Sequence, residues 1–102
     1  VETALVNLLT HQSLIATTAA RVVYAAQGDV VMEFGLRRAQ GPDAGIYGAR
    51  AAVIGGCIGT SNVLCGQLYD IPVKGTHAHS WIMSFPDEYT AFKTYADMYP
   101  SA

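Results

Sequence analysis

The chain has 102 residues, 51% of them hydrophobic and 14% charged, with six Lys and Arg against eight Asp and Glu for a formal net charge of -2. That length allows one ordinary domain, expected to bury roughly 60–70% of its extended surface. The mild acidity argues against a basic nucleic-acid groove, the lack of an apolar run of about 18 residues excludes a membrane-spanning helix, and the high hydrophobic fraction excludes a disordered chain.

Two cysteines, Cys57 and Cys65, are too few for a secreted disulfide framework and predict buried thiols in a reduced, cytoplasmic protein. Soluble domains usually carry about 25% charged residues, so this chain is short of surface-type side chains. It opens without Met in an apolar helical pattern and stops just after Tyr99-Pro100, which predicts a piece of a longer polypeptide.

From Glu2 to Gln27, Leu5, Leu8, Leu9, Ile15, Ala19, Val22, Val23 and Ala26 recur at helical spacing with no proline or glycine between them. Such a helix is expected to be buried over most of its circumference, wetted only along Asn7, His11, Thr18 and Arg21, and stopped by Gly28. Val30 to Phe34 has the pattern of a short strand, followed by a polar loop from Leu36 to Asp43. Asp43 is placed to cap a helix over Ala44–Ile54, which Gly55-Gly56 ends. Cys57-Ile58 is a very short strand candidate, Asn62 to Leu68 a short helix, and Ile71-Pro72-Val73 another strand. After the polar cluster Lys74 to Ser80 comes a helix from Pro86 to Met98, with Ser84 or Phe85 as its cap. A long helix followed by three strand–loop–helix units predicts an α/β fold with parallel strands.

In such folds chemistry collects where strands end. Three strand ends carry polar groups here: Glu33 to Arg38, Gly59 to Asn62, and Gly75 to Ser80. Arg37 and Arg38 are two of only four arginines and suit bidentate anion binding, or a surface pair with Glu33. The stretch Gly55 to Ser61 suits a backbone anion cup, or a plain C-cap followed by a Ser61 N-cap. His77 and His79 would share a strand face, so a metal pair is conceivable; Glu33 could contribute a further ligand, but the only other histidine, His11, lies inside the first helix and the count stays thin. One functional histidine and one structural histidine is the simpler assignment. Trp81, Tyr89, Tyr95 and Tyr99 fit a core or interface stripe.

Glu33-Phe34-Gly35-Leu36-Arg37-Arg38-Ala39-Gln40-Gly41 resembles the central motif of nicotinate phosphoribosyltransferases. Gly59-Thr60-Ser61-Asn62-Val63-Leu64 and Ile71-Pro72-Val73-Lys74-Gly75-Thr76-His77-Ala78-His79-Ser80 follow at the family's spacing. The resemblance covers essentially the whole chain. It implies that residues 1–102 are one piece of a type II phosphoribosyltransferase domain, part of an irregular α/β barrel whose N-terminal region and later strands lie outside this chain. The implied reaction joins nicotinate to phosphoribosyl pyrophosphate, coupled to ATP hydrolysis, in NAD salvage. Mg²⁺ and ATP are the implied cofactors, and a homodimer the implied assembly, with no nucleic acid and no membrane as partner.

By the same resemblance His79 is the histidine phosphorylated by ATP. Phe34, Arg37, Thr76 and Ser61 would hold nicotinate, and Arg37, Arg38, Gly59, Thr60 and Ser80 the phosphoribosyl group and its phosphates; no metal ligand is assigned. Nicotinamide-using relatives carry an acid where Ser61 stands, which would repel an acid substrate. A nicotinamide- or quinolinate-using relative, a metallohydrolase barrel using His77 and His79, and an inactive structural module are the competing expectations.

Overall fold

Freedom from proline and glycine lets the first segment run as one helix, α1 (Glu2–Ala25), until Gln27 and Gly28 both turn to positive φ. Our computed structural model describes all 102 residues. A single 3-10 turn follows at Gly35–Arg38, then α2 (Pro42–Ile54), α3 (Val63–Tyr69), α4 (His79–Met83) and α5 (Glu88–Met98). Pro42 starts α2 with its pre-set φ, so Asp43 lies inside the first turn and Gly41 is the N-cap. Asn62, not Ser61, caps α3, its Oδ1 accepting from Cys65 N at 3.1 Å. At α5 the cap is Asp87, which accepts from Thr90 N at 2.7 Å, rather than Ser84 or Phe85. α4 begins inside the polar cluster Lys74 to Ser80, where no helix is expected from the sequence.

No strand forms, and the expected part of an α/β barrel with three strand–loop–helix units is corrected to a helical chain. The extended segments meet at single residues, Glu33 with Thr60 and Thr60 with Val73, both in parallel. Each segment is cut too short for a ladder. Gly35 opens the 3-10 turn two residues past Glu33, and Asn62 caps a helix two residues past Thr60. On the third segment the Ile71 N–H goes to the Gly66 carbonyl and Pro72 has no N–H to offer.

Packing centres on α1 against α2. Gly55 allows the approach: a Cβ there would stand 2.5 Å from the Ala16 carbonyl oxygen and 2.7 Å from the Ala19 Cβ. Ala19, Ala52 and Cys57 form the apolar centre, with Ile15, Val23 and Val31 around them. His11 is exposed, as expected of the wetted strip, and its Nε2 also lies 3.2 Å from the Ala44 carbonyl oxygen; Arg50 donates to Gln12 Oε1 at 3.1 Å.

The expected burial of α1 is also corrected. Only Ala19 is buried, while Leu8, Leu9 and Leu14 are each 60% exposed or more, because α2 covers one side alone. The radius of gyration is 16.8 Å where about 13 Å is usual for this length. The accessible surface of 7775 Å² exceeds that of a compact monomer of this mass by about 2,200 Å², so roughly half of the extended-chain surface is buried rather than 60–70%.

Candidate active site

Glu33 lies at the centre of the candidate residues. Its Oε2 accepts from the Thr60 hydroxyl and its Oε1 accepts from Gly35 N. Thr60 is wholly buried, and its Oγ1 also accepts from Asn62 N at 3.0 Å. The backbone joins the same residues: Glu33 N donates to the Gly59 carbonyl, Ser61 N to the Glu33 carbonyl, Thr60 N to Pro72, and Lys74 N to Thr60. The three motif segments therefore run side by side in one direction, in register at Glu33, Thr60 and Val73.

Beyond that row the turns diverge. Phe34 is 46% exposed, and Arg37 and Arg38 end the 3-10 turn, both exposed and neither paired with Glu33. The surface ion pair weighed for them does not form; the ion pair in this chain is Lys93 with Asp97 at 2.8 Å. Ser61 is half-buried. The anion cup over Gly55–Ser61 does not form either, since Gly55, Gly56, Cys57, Ile58, Thr60 and Ser61 all donate their N–H groups within the chain. Gly59 keeps a free N–H, but its Cα faces the Pro72 carbonyl, where a Cβ would meet the oxygen at 2.7 Å.

On the third segment, Thr76, His79 and Ser80 are exposed, with His79 and Ser80 the first two residues of α4. His77 is held differently. Its ring stacks on Trp81 at 5.3 Å, meets Tyr95 edge-on at 4.9 Å and leans on Phe92 at 5.7 Å. Two histidines two residues apart thus have opposite fates: His77 fastens its turn to α4 and α5, and His79 projects into solvent. No hydrogen bond joins Thr76, His79 or Ser80 to Phe34, Arg37 or Arg38, so the structure aligns their backbones without joining their side chains. No three His, Cys, Asp or Glu side chains come together.

Of two hollows, one reaches these residues and a larger one does not. A cleft of about 400 Å³ between α1, α2 and the 3-10 turn is lined by Glu33, Gly35 and Arg38 among others. The larger one, about 690 Å³, follows one face of α1 from Glu2 to Leu14 and contains no candidate residue. Both thiols are buried, and burial foremost, with the Glu33 charge second, pushes their pKa values up, which keeps them protonated and inert. Sequence reasoning missed Glu33 and Asn62 as joints of the site. The acid two residues before a glycine hinted at the first, but nothing linked it to Thr60.

Residues 30–98 match the nicotinate phosphoribosyltransferase (NAPRTase) family. The chain belongs to that family. It is 54% identical over 97 residues to the nicotinate phosphoribosyltransferase of Bacillus subtilis (strain 168), covering 95% of this chain and 20% of that protein. It is also 54% identical over 86 residues to the nicotinate phosphoribosyltransferase of Caenorhabditis elegans, covering 83% of this chain and 15% of that protein. Among solved structures, the human nicotinic acid phosphoribosyltransferase superposes with a TM-score of 0.74 at 48% identity, covering 82% of this chain and 17% of that one. The chain spans about a fifth or less of the length of these nicotinate phosphoribosyltransferase relatives. No helix in it is long and apolar enough to cross a membrane.

Proposed function

We propose that the protein carrying this chain joins nicotinate to phosphoribosyl pyrophosphate, coupled to ATP hydrolysis, and yields nicotinate mononucleotide and pyrophosphate in NAD salvage. The observation that carries the reading is the shared register: the Phe34–Arg38 turn, Ser61 and the Thr76–Ser80 turn each follow one residue of a single bridged row. Family membership supplies the chemistry that this row would serve.

Nicotinate is a flat ring bearing a carboxylate. The exposed Phe34 ring offers it a face, Arg37 a cation, Thr76 a hydroxyl donor, and Ser61 a neutral neighbour where an acid would repel it. Arg37, Arg38, the Gly59 N–H and Ser80 would take the phosphoribosyl donor. The pyridine nitrogen forms its bond to the anomeric carbon as the bond to pyrophosphate breaks, so positive charge develops on the sugar and negative charge on the leaving group. Arginines at the leaving group stabilise that second charge.

Mg²⁺, when bound, would neutralise pyrophosphate, but this chain does not assemble its site: no cluster of ligating side chains exists and both Glu33 oxygens are engaged. None of the roles given to these residues requires it. His79, exposed and free of hydrogen bonds, is open to receive the γ-phosphoryl group of ATP on its imidazole, with ADP departing. A homodimer in the cytoplasm completes the proposal and fits the apolar surface that α1 leaves uncovered.

The test is synthesis of nicotinate mononucleotide by the full-length protein, with and without ATP. His79→Ala should abolish ATP stimulation while leaving a slow basal synthesis. Arg37→Ala should raise the KM for nicotinate or the phosphoribosyl donor about 10- to 100-fold, the size of a lost charged hydrogen bond. Unchanged ATP coupling in His79→Ala would overturn the phosphohistidine assignment, and no nucleotide from the wild type would overturn the whole reading.

A further inference from the structure

The Glu33 carboxylate is engaged at both ends. Its two oxygens face two different donors, the Gly35 N–H at the start of the arginine turn and the Thr60 hydroxyl on the next segment. A glutamine in the same pose would present one oxygen and one NH₂ group, so one of the two donors would lose its acceptor. From Thr60 the connection continues, through Oγ1 accepting from Asn62 N and Asn62 Oδ1 accepting from Cys65 N, into the first turn of α3. Glu33 forms no pair with Arg37 or Arg38, so their guanidinium groups stay exposed and available to an anion.

We propose that Glu33 and Thr60 are a positioning pair that fixes the Arg37–Arg38 turn against the Ser61–Asn62 turn and thereby sets affinity for the diphosphate group of the phosphoribosyl donor. The identity of that donor rests on the function proposed above; the pair itself rests on the hydrogen bonds. Thr60, wholly buried, acts through Glu33 and not by touching substrate. A carboxylate anchored on both oxygens restrains the turn in two directions, and two arginines bind a diphosphate well only when their forks are held at its spacing.

The experiment uses the full-length protein and two readouts: binding of inorganic pyrophosphate by calorimetry, and steady-state kinetics. Thr60→Val keeps the side-chain shape and removes the hydroxyl. It should weaken pyrophosphate binding tenfold or more and raise the KM for the phosphoribosyl donor by a similar factor, with kcat and the nicotinate KM within about threefold of wild type. Thr60→Ser, which keeps the hydroxyl, should restore both to within about threefold. Gly35→Ala leaves both partners in place but sets a Cβ 2.7 Å from Glu33 Oε1, so it should act in the same direction as Thr60→Val.

Wild-type pyrophosphate affinity in folded Thr60→Val would overturn the proposal, as would a wild type that binds no pyrophosphate. A uniform fall in every parameter that Thr60→Ser does not rescue would assign the pair to the fold alone and overturn it too. A wild type that binds pyrophosphate but makes no nucleotide would refute the proposed reaction, while the variants' pyrophosphate affinities would still decide the pair.

Discussion

Two of the three motif segments carry most of the candidate residues, and they are secured by different forces. The Phe34–Arg38 turn is held by directional hydrogen bonds that run from Gly35 through Glu33 and Thr60 to Asn62. The Thr76–Ser80 turn is held by ring packing, with His77 set among Trp81, Phe92 and Tyr95. Hydrogen bonds fix position sharply and fail abruptly when one partner is lost. Aromatic contacts are less directional and yield by degrees. Under the proposed function, a turn that would have to match the fixed geometry of a diphosphate suits the first kind of anchor, and a segment whose histidine would take a phosphoryl group from a nucleotide suits the second.

The largest expected effect breaks the row that serves both turns. Gly59→Ala drives a Cβ into the Pro72 backbone carbonyl, which cannot swing aside as a side chain would. The Thr60–Val73 pairing should part, at a cost of about 2–3 kcal/mol, in the range of overpacked cores. Chemical denaturation of the full-length protein checks it, and a midpoint equal to wild type would show that the register is not as tight as described. Both pyrophosphate binding and ATP coupling should suffer together, because the row is common to both turns.

Trp81→Ala separates the two. It removes ring contacts to His77, Phe85 and Tyr95, each worth about 0.5–1.5 kcal/mol. Some of that should appear as lost stability, on the order of 1–2 kcal/mol given that Trp81 is only half-buried. ATP stimulation should fall while pyrophosphate affinity stays within twofold, and Trp81→Phe should recover part of the coupling. Equal damage to both readouts would mean that the two turns are one mechanical unit and the contrast between them is false.

How much of this was legible depended on range. Helix α1 declared itself through unbroken spacing, and α2 through Gly41-Pro42 in front and Gly55-Gly56 behind. The strands did not materialise, because runs such as Val30 to Phe34 encode an extended backbone but not a ladder, the Ile71 N–H is spent on Gly66, and Pro72 has no N–H. Phe34, Arg37, Ser61, Thr76 and His79 were named from motifs, and the register places their segments in one row without bringing the side chains together. The Glu33–Thr60 bond spans 27 positions, and no local pattern encodes it. His77 was half legible: one histidine of the pair was expected to be structural, but the rings that hold it, Trp81 from α4 and Phe92 and Tyr95 from α5, carry no local signal.

The smallest effect concerns the far support of the aromatic anchor. Helix α5 brings Phe92 and Tyr95 to His77, and its first turn is closed by Asp87 accepting from Thr90 N at 2.7 Å. That backbone hydrogen bond, reinforced by the Thr90 hydroxyl, holds the Asp87 carboxyl below its ordinary pKa of 3.8. A carboxyl lowered by folding contributes stability that is complete above 3.8 and is lost as the pH falls through the lower folded value. Since Asp87 is fully solvent-screened, the contribution is slight. With ¹⁵N-threonine labelling, the Thr90 amide resonance should titrate with a midpoint below 3.8, and Asp87→Asn, which keeps an acceptor oxygen, should abolish that titration while keeping α5 intact. A midpoint at or above 3.8 would mean that the cap is not formed in solution, and the aromatic anchor would then rest on packing alone.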